Sequence, residues 1–462
     1  MRISSFLAPR GPARRASFAL VIASLAPLSA HAQGEAIGIR DVSLSARGYV
    51  LYAQNIEIAG STLPRAAIET AIRGGDPATL AGRLESMGAQ SVTFTDMKLQ
   101  QTAGGPGRTI AFGKLVLTGL NAGRIRSLQG TNGSWRSGAN VESTIASLNA
   151  SGVDAGVLLR LVGDTAAAKP DAEPLVTAAT FERVESNPSA GMKLSIQKIT
   201  LNDVRVTANA ARSFPNALGA IEFSDIRLSL PPREANVAGT EARIQSVVIG
   251  ADRLTSDDVP TRYRLSINNL SFPLSATDKT PYIQNLRALG LEELVLSGAL
   301  EGNWSEKSRE LKLDRLGVNA ARLGGITFSG ALADVAPEAF TETGAAARAY
   351  WDKAMVRTLG VVVRNEGLYE RATDRYARAT SRPVEEIRRQ VGIQAAEAIR
   401  QLTGGAGDQV VANAMTRFLA NPKSLTVSIA PKAGANLPLS AVLAKGGMQA
   451  IAGKYEVTAK AE

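Results

Sequence analysis

Two residue types that carry much of enzyme chemistry are almost missing from this chain. Its 462 residues contain no cysteine and one histidine, His31. Disulfides are therefore excluded, as are Cys-His nucleophiles. The chain after His31 contains no histidine either, so Ser-His-Asp triads and the usual His/Cys centres for zinc, iron or haem are also excluded there. We expect a protein that is not an enzyme and that needs no cofactor or metal.

Aromatic residues and net charge are also low. Aromatic residues make up 5% of the chain, and Trp135, Trp304 and Trp351 are too scattered to form a sugar-binding platform. The formal net charge is +10, and four of the basic residues lie in the first 32 positions. The remaining surplus is compatible with an anionic membrane or polysaccharide. Because no nucleic-acid motif is present, we expect no nucleic-acid partner.

The first 32 residues have the pattern of a secretory signal peptide. Four arginines, beginning with Arg2, precede an apolar run over 16–28, and Ala30-His31-Ala32 forms a small-x-small cleavage site. The apolar run is shorter than the roughly 20 residues that span a bilayer. We therefore predict cleavage after Ala32, export to the periplasm, and a mature chain without a transmembrane helix.

What the chain has in abundance is one apolar octamer, in which two alternating apolar pairs flank a polar residue. It occurs at 37–44, where Asp41 is the polar residue, and at 92–99, where Asp96 is. The other strict copies are 199–206, 221–228, 265–272, 289–296 and 311–318, with Asp203, Asp225, Asn269, Glu293 and Arg315 as their polar residues. Alternation of this kind predicts β-strands. The extra residue either forms a β-bulge inside a long strand or marks a tight corner between two short ones.

The octamers and the period of the apolar residues predict a mainly β fold with an α+β C-terminal part. We expect a long, curved, repetitive antiparallel sheet, groove-like or sandwich-like, capped by C-terminal helices. The repetitive β domain spans 33–335, with a short helical insertion near 63–88 and a long linker over 162–190. From 336 to 462 the period changes to that of helices, which we expect near 340–355, 384–402 and 410–419.

The repeated strands resemble those of AsmA-type periplasmic proteins of the bacterial envelope. The resemblance is carried by copies such as Leu265-Ser-Ile267-Asn-Asn269-Leu270-Ser-Phe272 and covers roughly residues 35–335. It implies a β-groove whose apolar face shelters acyl chains. Such proteins are usually larger and tethered by an N-terminal transmembrane helix, whereas this N-terminus has a cleavage signal.

Three classes of function follow from these patterns. The first is a non-enzymatic envelope protein that binds lipid or another amphiphile along an apolar β-groove. The second is a structural scaffold that binds an envelope protein partner. The third is a carbohydrate-active enzyme using carboxylates from separate segments.

Two sets of residues are the candidates for binding. The candidate groove lining consists of apolar octamer residues: Ile39, Phe94, Phe112, Ile196, Phe223, Ile267 and Leu313. The candidate contacts to an anionic surface are four arginines at helical spacing: Arg371, Arg375, Arg378 and Arg382. For the arginines, a solvated helix face paired with nearby acidic residues is the alternative interpretation.

Overall fold

The structure is a computed structural model, and it describes most of the chain after residue 35. The described ranges are 36–46, 49–74, 88–101, 108–137, 141–154, 173–189, 191–206, 217–231, 240–254, 259–403, 408–444 and 452–462. The predicted signal peptide, the 75–87 part of the helical insertion and the 162–172 part of the linker lie outside these ranges.

The predicted fold class is confirmed. The part of the chain that the structure describes is mostly β, and its 17 strands pair antiparallel. The strands are β1 Ile37–Ala46, β2 Tyr49–Ala59, β3 Gly88–Gln101, β4 Arg108–Asn121, β5 Arg124–Ser137, β6 Val141–Asp154, β7 Glu173–Ser189, β8 Met192–Val206, β9 Ala217–Leu230, β10 Thr240–Leu254, β11 Pro260–Pro273, β12 Glu293–Ser305, β13 Glu310–Ala320, β14 Gly324–Ala333, β15 Met355–Asn365, β16 Ser424–Pro431 and β17 Tyr455–Ala461.

The described helices lie mainly in the C-terminal part. They are α1 Arg65–Gly74, α2 Pro281–Ala288, α3 Glu338–Thr341, α4 Gly344–Trp351, α5 Leu368–Thr380, α6 Val384–Thr403, α7 Asp408–Ala420 and α8 Leu439–Leu443, with a 3-10 turn at Ala452–Lys454. Helices were expected at α1, α3–α4, α6 and α7, and they are present there. Helix α2 was not expected.

The chain divides into two compact units. Among the described residues, unit 1 comprises those from 36 to 206 and from 217 to 224, and unit 2 comprises those from 225 to 462. In unit 1, strands β1 to β8 pair antiparallel with their chain neighbours. In unit 2, strands β10 to β17 pair in the same way.

Most octamers are single long strands that continue through the polar residue. That residue adopts a left-handed conformation at Asp41, Asp96, Asp203, Asp225 and Asn269, with φ between 46° and 52°. Asp and Asn tolerate this region better than other residues that carry a Cβ. The left-handed residue places both apolar pairs on the same face of the sheet. Phe94 precedes Asp96 in the sequence and Met97 follows it, and both are buried.

At Asp41 and Asp96 in unit 1 the extra residue is matched on the neighbouring strand, so the pairing register does not change there. Arg40 pairs with Asn55 and Val42 pairs with Ala53, on the two sides of Asp41. Ala53 and Ile56 of β2 are both buried, so β2 changes facing at the same level as β1. The expected bulge is therefore a matched irregularity of two strands rather than an insertion in one.

Two expectations about individual segments are wrong. The octamer at 289–296 is not one strand, because residues 289–292 follow helix α2 with Gly290 at φ 79°, and β12 begins only at Glu293. The linker expected at 162–190 contains strand β7 over Glu173–Ser189. Strand β7 alternates only weakly in hydrophobicity, which is why its pattern was not recognised.

Candidate ligand-binding face

The sheet of unit 2 has an apolar face that crosses all eight of its strands. Residues directly opposite each other in an antiparallel register lie on the same face of the sheet. One such row is apolar at every strand: Ile249, Leu265, Leu300, Leu316, Phe328, Val361, Val427 and Ala459. A second row is also apolar: Val247, Ile267, Gly298, Val318, Ile326, Val363, Leu425 and Ala461.

One-sided bulges keep the octamers of β11 and β13 on this face. Strand β12 alternates without interruption, so Leu296 and Gly298 share a face. They pair with Leu270 and Ile267 of β11, across a register shift that contains Asn269. Both apolar pairs of β11 therefore face the same side. Strand β13 has a corresponding shift at 314–315.

The centre of this face is not covered. Six large side chains in the two rows are 38–53% exposed, and we call them the exposed patch: Ile249, Leu265, Leu316, Val318, Ile326 and Phe328. They lie on β10, β11, β13 and β14. Apolar side chains gathered in this way on one sheet face are typical of a surface that binds a ligand, a membrane or another protein.

Helices of unit 2 cover three margins of the same face. Near one end of β11 and β12, Ile283 of α2 packs with Phe272 and Leu294. Near the other end of β12, Trp304 packs with Phe340 of α3, with ring centroids 5.3 Å apart, and its indole N–H donates to the Val335 carbonyl at 3.0 Å.

Over β16 the cover is helix α7, whose Phe418 packs in one cluster with Leu425. The described helices therefore surround the exposed patch and leave it open.

The opposite face of the same strands is polar. Arg264, Glu301 and Arg315 are consecutive across β11, β12 and β13, and the Arg264 Nε lies 3.6 Å from a Glu301 carboxylate oxygen. Farther along, Ser428 and Thr458 pair across β16 and β17. The two faces of unit 2 thus differ in chemistry: Val248, Val295 and Val362 on the polar face are half-buried, and the exposed large apolar side chains of its described strands lie on the other face.

In unit 1 the corresponding apolar face is a filled core. Leu51, Ile58, Phe94, Leu117 and Ile125 are each at most 2% exposed. They belong to a continuous buried cluster that includes Ile68 of α1. The same octamer therefore builds a closed interior in one unit and a partly open surface in the other.

The seven predicted lining residues are divided between these two environments. Ile39, Phe94, Phe112 and Ile196 are buried in unit 1, at 7%, 2%, 3% and 8% exposure. Phe223, on the unit 1 part of β9, is half-buried.

Ile267 and Leu313 are half-buried on the apolar face of unit 2, next to the exposed patch. All six members of the exposed patch were missed as candidates: Leu316, Val318, Ile326, Phe328, Ile249 and Leu265. The octamer at 311–318 marks the first two, but alternation alone does not show which apolar residues remain uncovered.

Tyr263 lies at one border of the exposed patch, in the row that continues through Gly302 and Leu313. A Cβ at residue 302 would stand 2.7 Å from the Tyr263 hydroxyl oxygen, so this glycine makes room for the phenol. Burial raises the pKa of the Tyr263 hydroxyl to about 12, and the negative charge of Asp314 acts in the same direction.

The four candidate arginines do not form one continuous stripe. Helix α5 carries Arg371, Arg375 and Arg378, but it ends at Thr380, and Ser381 is left-handed with φ 52°. Arg382 follows this break and donates to Gln390 and Glu386. An αL residue redirects the backbone at a helix end, and so Arg382 is not part of the α5 surface.

Two of these arginines bind the C-terminal end of helix α2. Arg371 Nη1 donates to the Leu289 carbonyl at 2.9 Å. Arg375 donates to the backbone and side-chain oxygens of Asn285, at 3.2 Å and 2.9 Å. Carbonyl groups at a helix C-terminus lack partners within the helix and attract cations. Arg382 donates to Gln390 and Glu386 instead. Of the four arginines, Arg378 alone takes part in none of the hydrogen bonds and ion pairs of the described residues.

Two features are absent from the described ranges. No helix there is both long and apolar enough to cross a membrane. No group of three or more His, Cys, Asp or Glu residues is placed to hold a metal ion in the part of the chain that the structure describes. The adjacent acids Glu292 and Glu293 are both exposed.

The profile of a family described as "Uncharacterized protein" matches residues 317–462. This segment contains the last four residues of β13 and all the described elements after it, and so includes Val318, Ile326 and Phe328 of the exposed patch. No curated protein matches the chain.

Proposed function

We propose that the exposed patch of unit 2 binds the hydrocarbon part of a lipid or another amphiphile. The observation that carries the proposal is the set of six large apolar side chains, 38–53% exposed, on one face of β10–β14. Covering them with an acyl chain would remove apolar surface from water, which contributes about 25 cal/mol per Å².

The patch has the features of a binding surface rather than of a core. Its neighbours Ile267 and Leu313 are half-buried, and helices α2, α3 and α7 stand at its margins. The reverse face, with Arg264 and Arg315, is polar. An elongated apolar ligand that lies across the strands would therefore contact apolar side chains on this face of the sheet, whereas the reverse face is polar.

The wider setting of the proposal is the bacterial envelope. The arginine-rich start and the Ala30-His31-Ala32 site support export to the periplasm, and the octamers support an AsmA-like lipid-handling role. We propose binding without catalysis, since the chain after His31 contains neither histidine nor cysteine.

The proposal is tested by titrating a fluorescent fatty acid into the wild-type protein and a double variant, Val318→Thr with Ile326→Thr. These residues pair directly across β13 and β14. Threonine keeps β-branching and strand propensity, but it replaces an apolar group by a hydroxyl. We expect the dissociation constant to rise about ten-fold, because the bound chain would cover two hydroxyl groups, which lose their contact with water, in place of two apolar groups.

The matched control is Lys312→Thr, on the same strand. Lys312 precedes Leu313 and so projects from the polar face, where its side chain is 56% exposed. We expect this variant to bind like wild type. Equal affinity of the wild-type protein and the double variant, with both folded, would contradict the proposed site.

Lipid extraction of protein purified from its own host separates ligand binding from a scaffold role. We expect an amphiphile at near-stoichiometric amount in the wild-type protein and less in the double variant. A preparation that is repeatedly free of lipid, but carries a partner protein lost in the same variant, would favour the scaffold alternative.

A further inference from the structure

Strand β12 lies between β11 and β13 but contributes no member to the exposed patch, and two of its residues on the apolar face are glycines. Gly298 pairs with Ile267 of β11 and Val318 of β13, and Gly302 pairs with Tyr263 and Leu313. A glycine inside a strand costs stability relative to alanine, because it loses more freedom on folding and packs no side chain. Such a glycine often marks a place where another backbone or a ligand comes close.

The structure of the protein explains the glycine at 302 but not the one at 298. At 302, a Cβ would lie 2.7 Å from both the Lys312 carbonyl oxygen and the Tyr263 hydroxyl oxygen, which is too close for a real side chain. At 298, the nearest atom would be the Gly317 carbonyl oxygen at 3.5 Å, an ordinary van der Waals contact. Gly298 also has no left-handed φ. Alanine would therefore fit at 298, and neither packing nor backbone conformation requires glycine there.

The missing side chain leaves a notch in the apolar face, which we call the Gly298 notch. Ile267 and Val318 flank it across the sheet, and Leu296 and Leu300 flank it along β12. Apart from the two chain neighbours of Gly298, no side chain of the described residues would come within 4 Å of a Cβ there. Val318 is 53% exposed, and Gly298 itself is half-buried. The notch is therefore open to solvent and flanked by apolar side chains.

We propose that the Gly298 notch makes the exposed patch selective for a methyl-branched hydrocarbon chain, such as that of an isoprenoid lipid, over a straight one. This inference rests on the proposed lipid site and names the class of its ligand. A straight chain over the patch would pass above the notch and leave a void, whose flanking atoms lose their dispersion contacts. A methyl branch would fill the position that a Cβ at 298 would take.

The size and the polarity of the notch set the expected selectivity. The position of a Cβ at 298 is 3.5 Å from its nearest described atom, so the notch has room for a methyl-sized group. Burying one such group strengthens binding by about four-fold. A polar branch would lose its contact with water among Ile267, Leu296, Leu300 and Val318, so the notch favours an apolar one.

The test compares phytanic acid, which is methyl-branched, with palmitic acid, which has an unbranched main chain of the same length. Each acid displaces a fluorescent fatty acid from the full chain, in wild type and in Gly298→Ala. Because phytanic acid is the more apolar of the two, the decisive quantity is the ratio of the two affinities. We expect Gly298→Ala to lower the preference for phytanic acid about four-fold, since its added methyl group fills the notch.

The matched control is Gly38→Ala, on β1 of unit 1. A Cβ at residue 38 would also meet no described atom within 4 Å. This variant makes the same change in a strand away from the exposed patch, so its affinity ratio should equal that of wild type. Urea unfolding should show that Gly298→Ala is at least as stable as wild type, because alanine fits at 298 and glycine is the less favourable residue in a strand.

A second measurement uses the wild-type protein alone. With phytanic acid bound, nuclear Overhauser effects should connect its branch methyl groups to the methyl groups of Ile267 and Val318. Absence of these effects, or an affinity ratio that Gly298→Ala leaves unchanged, would overturn this inference while the lipid site stands. Wild-type protein that binds neither acid would instead overturn the proposed function, and this inference with it.

Discussion

At the scale of single residues, the octamer depends on a conformation that most side chains avoid. Asp41, Asp96, Asp203, Asp225 and Asn269 all have φ near 50° within strands. A left-handed residue with a Cβ costs roughly 1–2 kcal/mol, and the cost is smallest for Asp and Asn, whose short polar groups bond locally. Asp or Asn is therefore favoured at this position of the octamer by the left-handed backbone conformation as well as by contact with solvent.

Asp96 gives the clearest test of this cause. Replacing it by valine, a β-branched residue, should lower the free energy of unfolding of the protein by about 1–2 kcal/mol, whereas glycine should leave it nearly unchanged. Urea unfolding followed by circular dichroism measures both. Lys98→Val, at an exposed position of the same strand, is the control and should shift stability by less than about 0.5 kcal/mol. A tolerated valine at 96 would show that the left-handed step is not required.

Tyr263 predicts a loss of stability in alkali. Its pKa is raised from 10.0 to about 12 in the folded protein. Below pH 10 both states keep the proton, so there is no effect. Between pH 10 and 12 the unfolded state releases the proton and the folded state does not, which favours unfolding by up to about 3 kcal/mol.

The Tyr263→Phe variant should therefore lose less stability than wild type over that range. Urea unfolding at a series of pH values between about 9 and 12 measures the difference. Tyr282→Phe, at a 56% exposed side chain, is the matched control and should follow the wild-type curve. Parallel curves for wild type and Tyr263→Phe would contradict the burial of the phenol.

At the scale of elements, two of the arginines predicted to contact an anionic surface, Arg371 and Arg375, also bind another helix of unit 2. The helical spacing of Arg371, Arg375 and Arg378 predicted their common helix. It did not predict that two of them bind the end of α2, which lies about 90 residues away in sequence. Helix α2 was itself overlooked, although Thr280-Pro281 is a recognisable start signal.

Arg371→Met should lower the free energy of unfolding of unit 2 by about 1–2 kcal/mol, because a charged donor to the Leu289 carbonyl is lost while the aliphatic stem is kept. Arg378→Met is the matched control on the same helix. It should change thermal stability little and instead reveal any contribution of Arg378 to binding anionic vesicles. Equal stability of the two variants would argue against the α2 contact.

At the scale of the whole molecule, the sequence predicted the strands better than their environment. Octamers such as 37–44 and 265–272 predicted β1 and β11, and the change of period predicted the helices after 336. The pattern could not tell a filled core from an open face, because that depends on which segments cover the sheet. Met97 and Leu316 occupy equivalent octamer positions in unit 1 and unit 2, but their exposures are 2% and 44%.

The division of the chain is a further point that periodicity did not reveal. The two compact units divide near residues 211–225, within the repetitive strands. The octamer at 221–228 crosses this point and continues as one strand, β9. A pattern that repeats on both sides of a boundary carries no signal for it. The separation into 33–335 and 336–462 by period remains a prediction.

The measurement that tests the central claim most directly is photo-crosslinking of a diazirine-labelled fatty acid to the wild-type protein, with the labelled peptides identified by mass spectrometry. The account predicts labels on the strands of the exposed patch, at or beside Leu265, Leu316, Val318 and Phe328. An excess of unlabelled fatty acid should suppress these labels, and the buried strands of unit 1 should remain unlabelled. Labels confined to other segments, or insensitive to competition, would contradict the claim that this open face is where the protein binds its ligand.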